Sequence, residues 1–85
     1  MSGEILISID AGGTAVKVVA YDLMGAEIAI ETADVPTDHH PDGRVERDVE
    51  AFWAGTTSAL RRLTAQCAGR EILAVGCTGF GNGIF

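Results

Sequence analysis

The run Asp10-Ala11-Gly12-Gly13-Thr14-Ala15-Val16-Lys17 gathers residue types that handle phosphate. Adjacent glycines allow backbone N–H groups to approach an anion closely. Thr14 adds a hydroxyl donor and Lys17 a positive charge. Asp10 closes an apolar run and can hold Mg2+ directly or through water. Positioning and electrostatic relief of phosphate oxygens are what phosphoryl transfer requires. An ordinary β-hairpin with a glycine turn and a solvated Asp accounts for the same residues. Two other phosphate motifs fail. There is no G-x-x-x-x-G-K-[ST], so this is not a P-loop. A strand pattern rather than a helix follows Gly13, against a dinucleotide fingerprint.

A second segment, Gly76-Cys77-Thr78-Gly79-Phe80-Gly81-Asn82-Gly83-Ile84-Phe85, begins as a strand and becomes a glycine loop. Asn82 can both donate to and accept from hydroxyl groups, although a glycine loop without ligand fits too. In a third, Pro41 to Trp53, Asp48 suits a helix N-cap. Trp53 is expected in the core and Glu46 in a surface or loop hydrogen bond. His39 and His40 have no third ligand nearby and read as solvated.

The elements that must position these residues follow from periodicity. Glu4 to Asp10 reads as a strand, Ala11 to Thr14 as a turn, and Ala15 to Asp22 as a second strand. Gly12 and Gly13 are expected to supply the positive φ of a tight hairpin. Leu23 to Gly25 turns again and Ala26 to Ala33 alternates as a third strand. Pro36 to Arg47 reads as a surface loop. Behind Asp48, the residues Val49, Phe52, Trp53, Thr56, Leu60, Leu63, Thr64 and Cys67 share one helical face. Arg61 and Arg62 are placed to favour the helix dipole, and Gly69 suits the C-terminal cap. Glu71 to Thr78 reads as a buried fourth strand. The order β-β-β-α-β, with one helical crossover, places the fourth strand parallel to the first.

The chain of 85 residues suffices for one small domain, and 47% apolar residues permit a core. A formal charge of −6 argues against nucleic-acid binding, which rests on Lys and Arg. Cys67 and Cys77 are expected to be buried, reduced thiols. Neither a signal peptide nor a membrane span is visible in the sequence, and a cytoplasmic protein is the expectation. A buried strand followed closely by Gly-Asn-Gly-Ile-Phe reads as part of a longer protein, whose missing parts would cover exposed apolar faces.

Asp-x-Gly-Gly-Thr between two strands resembles the phosphate-binding hairpin of the actin-like ATPase superfamily. The Gly43, Glu46, Asp48 and Trp53 spacing resembles a signature of the FGGY carbohydrate kinases, with Arg44 where the family usually has Trp. The resemblance runs over essentially the whole chain. It implies an α/β, incomplete ribonuclease H-like (actin-like ATPase) domain with a mixed sheet. Residues 1–85 would then be the N-terminal part of the first kinase domain. The implied activity of the full-length protein is ATP-dependent phosphorylation of a sugar or polyol hydroxyl, with ATP and Mg2+. Asp10, Gly12, Gly13, Thr14 and Lys17 would bind the nucleotide, Asp10 also the metal, and Gly81 and Asn82 the substrate. The general-base Asp would lie downstream, so the segment alone should be inactive. Glycerol kinases carry Arg-Glu at the positions of Gly81 and Asn82, and the loop looks more like the L-xylulose and erythritol kinase branches. A homodimer is the candidate assembly of the full-length enzyme. ROK-type kinases, dehydratase activators and non-catalytic relatives share Asp-x-Gly-Gly-Thr, but not the Glu46, Asp48, Trp53 spacing.

Overall fold

The computed structural model describes residues 3–79. Its elements are β1 (Glu4–Ala11), β2 (Ala15–Asp22), β3 (Glu27–Asp34), β4 (Thr37–His39), β5 (Val45–Arg47), α1 (Val49–Gln66) and β6 (Glu71–Gly79). The main sheet has the order β3-β2-β1-β6. β2 runs antiparallel to both β1 and β3, whereas β6 is parallel to β1. The expected meander and crossover are therefore present. A second, two-stranded sheet pairs β4 with β5. It replaces the expected surface loop, with Gly43 at φ 92° in the turn between them. Three-residue strands are too short to show a period-2 pattern.

Alternation decides which face is buried. Ile5 and Ile7 on β1 and Val16, Val18 and Ala20 on β2 point to one face, and all are buried. There α1 packs across β2 and β3. Thr56, Ala59 and Leu63 form its buried stripe, with Cys67 buried just beyond its end. A Cβ on Gly55 would lie 3.4 Å from the Cβ of Ala33, at ordinary van der Waals contact, so α1 passes over β3 at normal packing distance there. The Asp48 carboxylate accepts from the N–H groups of Glu50 and Ala51, confirming the expected N-cap.

Several burial expectations are overturned. Trp53 is 67% exposed and Val49 64%, because both lie outside the stripe that meets the sheet. Every residue of β6 is exposed, Cys77 included, since α1 covers β2 and β3 and β6 is the sheet edge among the described residues. Cys67 is buried and free as expected. The last turn of α1 carries no basic residue. Arg62 instead clamps the helix to β3. Its Nε donates to Glu31 at 2.9 Å, its Nη2 to the Thr32 carbonyl at 2.8 Å and its Nη1 to Ser58 at 2.8 Å.

The β1–β2 turn also departs from expectation. Gly12 and Gly13 keep ordinary negative φ, and the positive-φ glycines among the described residues are Gly25, Gly43 and Gly69. Gly12 is needed for space. A Cβ there would sit 3.1 Å from the Ala15 carbonyl oxygen, which also accepts the Gly12 N–H at 3.0 Å. A Cβ on Gly13 would meet nothing within 4 Å.

These features give two expectations. Gly13→Ala should be neutral or stabilise by up to about 1 kcal/mol. Gly12→Ala should destabilise by roughly 1–3 kcal/mol through crowding. Equilibrium denaturation measures both, and equal losses would refute the steric difference. The second concerns Glu31, whose carboxyl is held below its ordinary 4.5 by hydrogen bonds from Arg62 and Gln66. A depressed folded-state pKa stabilises above the unfolded value, and that stability is lost as pH falls through the folded value. Glu31→Gln should therefore lower Tm at neutral pH, with the gap to the unaltered chain closing below pH 4.5. A gap that widens on acidification would contradict this assignment.

Candidate phosphate-binding site

The β1–β2 turn lies at one end of the main sheet. Register places Asp10 opposite Lys17 on β2 and opposite Thr78 on β6. Lys17 in turn faces Thr32 on β3. All four are exposed. Direct partners across a sheet share a face, so an exposed polar row, Thr32-Lys17-Asp10-Thr78, crosses the sheet just below the turn. The Asp10 carboxylate has no protein hydrogen-bond partner among the described residues. Mg2+ keeps several waters and commonly takes one or two protein carboxylates. A single unpartnered carboxylate beside the turn fits that demand. No cluster of three or more His, Cys, Asp or Glu side chains suited to a metal occurs among the described residues.

The turn itself is strapped by the segment that leads from β3 to α1. Three successive carbonyls accept hydrogen bonds from it. Gly12 O accepts from Arg47 Nη2 at 2.6 Å, Gly13 O from Thr37 Oγ1 at 3.5 Å and Thr14 O from Val35 N at 3.0 Å. The first is short and charge-assisted; the Thr37 contact is long and correspondingly weak. By contrast, the N–H groups of Gly13 and Thr14 have no partner among the described residues. Acceptors are thus occupied on the strap side while two adjacent donors are left open. This is the polarity an anion needs.

Sequence reasoning had placed Asp10, Gly12, Gly13, Thr14 and Lys17 in one site, and the register brings their backbones together. Gly81 and Asn82 lie outside the described residues. Gly79, the last residue of β6, pairs with Ala11 next to the turn. The signature residues serve structure: Gly43 turns the β4–β5 hairpin, Glu46 meets His40 Nε2 at 2.7 Å, and Asp48 caps α1. That contact also corrects the reading of His40 as merely solvated. Sequence reasoning missed Thr37 and Arg47, which fell in the supposed loop. Strands of three residues left no periodic signal that could have found them.

No helix among the described residues is long and apolar enough to cross a membrane. Residues 5–85 match the model of the FGGY family of carbohydrate kinases, N-terminal domain. The chain is 36% identical to an erythritol kinase of Brucella abortus, over 95% of this chain and 16% of that protein. It is 34% identical to a glycerol kinase of Aquifex aeolicus, over 88% of this chain and 15% of that protein. A solved structure of ligand-bound xylulose kinase from Lactobacillus acidophilus superposes with a TM-score of 0.74 at 25% identity, covering 86% of this chain and 15% of that one. The chain thus spans about one-sixth of the length of the curated relatives it matches. Fold, motifs and matched residues agree that the chain belongs to the FGGY family of carbohydrate kinases, within its N-terminal domain.

Proposed function

We propose that this chain is the N-terminal part of a kinase that transfers the terminal phosphoryl group of ATP to a hydroxyl of a sugar or polyol. The observation that carries this reading is the strapped turn, whose Gly13 and Thr14 N–H groups stand open beside Asp10, Lys17 and the Thr14 hydroxyl. Those N–H groups and the Lys17 ammonium hold phosphate oxygens and offset their charge as the group transfers. Asp10 would hold Mg2+, directly or through water. When bound, Mg2+ neutralises charge on the phosphate oxygens and aligns them. The general base, supplied by residues beyond this chain, takes the proton from the accepting hydroxyl. The chain by itself binds and orients but does not catalyse, because base, hydroxyl and phosphate must be held together for the rate to rise.

Gly81 and Asn82 are assigned to the acceptor side. Gly79, the last residue of β6, pairs with Ala11 beside the turn, and Gly81 and Asn82 follow it in sequence. Gly81 carries no side chain, and the Asn82 amide suits neutral hydroxyls better than an acidic sugar, which would call for Arg or Lys. A neutral acceptor of four or five carbons is the proposed substrate class. The similarity to an erythritol kinase supports it.

Both assignments are tested by steady-state kinetics on the kinase that contains this segment. Asp10→Ala is expected to lower kcat at least about 10-fold with little change in the acceptor KM. Activity retained within about threefold would remove Asp10 from any metal or phosphate role. Asn82→Ala is expected to weaken kcat/KM for the acceptor by roughly 2- to 13-fold, the value of one hydrogen bond to an uncharged hydroxyl, and to leave the ATP KM nearly unchanged. A change confined to the ATP constants would move Asn82 out of the acceptor site.

A further inference from the structure

We infer that Arg47 is a positioning residue for nucleotide phosphate, acting through the peptide that joins Gly12 to Gly13. The inference rests on the proposed phosphate role of the turn, but it concerns a residue outside the turn's own motif.

In a trans peptide the C=O of one residue and the N–H of the next share a plane and point in opposite directions. Whatever draws the Gly12 carbonyl toward itself drives the Gly13 N–H the other way. Arg47 Nη2 holds that carbonyl at 2.6 Å. Thr37, which faces Arg47 across the β4–β5 ladder, makes a longer and weaker contact of the same kind to the Gly13 carbonyl, at 3.5 Å, which biases the Thr14 N–H the same way. One rung of a small two-stranded sheet therefore aims two consecutive donors away from the strap. A charged donor on the carbonyl also polarises the peptide and makes its N–H a stronger donor.

Arg47 has a second contact besides the Gly12 carbonyl. Its guanidinium lies over the Phe52 ring, 5.6 Å from the centroid, at the start of α1. Its Nη1 is buried without a hydrogen-bond partner among the described residues. A buried donor left unpaired works against folding, so this placement is poor as a device for stability alone. It is intelligible for a group that fixes the turn and brings positive charge within one peptide of the anion site.

The test uses the kinase that contains this segment. Calorimetric titration with ADP and Mg2+ is run on the unaltered protein, on Arg47→Met, which keeps a long side chain without donor or charge, and on Arg47→Lys. Arg47→Met is expected to raise the Kd for ADP about 10-fold, the scale of one hydrogen bond from a charged group. The acceptor KM should stay within about twofold, a split that general loosening of the fold would not produce. Arg47→Lys, which restores a charged donor, should recover most of the affinity. A Kd for Arg47→Met within about twofold of the unaltered protein overturns the inference, as does an equal rise in the nucleotide and acceptor constants. If Arg47→Met does not melt cooperatively, the uncharged Arg47→Gln decides. It should raise the ADP Kd with the acceptor KM unchanged, and an unchanged ADP Kd overturns the inference. Failure of the functional reading looks different: the unaltered protein would bind ADP yet consume no ATP when sugars or polyols are added. An unaltered protein that does not bind ADP refutes both.

Discussion

The register of β2 against β1 and β3 is the constraint on which the site depends. Ile5, Ile7, Val16 and Val18 are buried on a single face beneath or beside α1. A slip of one residue would turn that whole set toward water and bring Ser8, Asp10 and Lys17 into the core. Hydrophobic alternation therefore does more than hold the sheet together. It fixes Asp10 opposite Lys17, sets the length of the turn at Gly12 to Thr14, and puts the end of β6 beside it. The Arg62 and Gln66 contacts to Glu31 reinforce this from the helix side, where a side chain of β3 is tied to α1.

Much of this was legible in the sequence because its signals are local. The eight-residue strand Ala15–Asp22 begins and ends where alternation and glycine turns place it. Asp48 caps α1 through neighbours two and three residues away. What failed was knowledge of what covers what. Trp53 and β6 are apolar enough for a core, but apolarity does not say whether a partner layer lies above them. The helix sits over β2 and β3, so β6, which reads as a buried strand, is uncovered here, in keeping with the expectation of exposed apolar faces in part of a longer protein. The role of the glycines was misread for a related reason. A positive φ was inferred from residue type, whereas Gly12 answers to crowding by the Ala15 carbonyl, which only coordinates reveal.

The candidate site divides along the same line. Asp10 through Lys17 is a contiguous string with recognisable chemistry. The strap that holds it is contributed by Val35, Thr37 and Arg47, and Arg47 reaches Gly12 across 35 positions of sequence. No periodicity or composition links residues so far apart. The helix cap and the turn strap nevertheless share one short stretch, since Arg47 and Asp48 are adjacent. A change in the entry angle of α1 would therefore be felt at the β1–β2 turn.

The parallel pairing of β6 with β1 bears on how the molecule comes into being. β1–β2 and β2–β3 are hairpins, closed by short loops, while Glu4 meets Glu71 across nearly the whole described chain. Closing so long a loop is entropically slower than zipping a hairpin. During synthesis β1 also emerges well before β6 exists. In that interval one side of β1 presents unpaired amides and carbonyls beside an already assembled meander, a surface on which a strand from another molecule could settle. The nascent chain is thus exposed to mispairing at the strand that carries Asp10, and its safe passage depends on how soon α1 folds and delivers β6 to that open side.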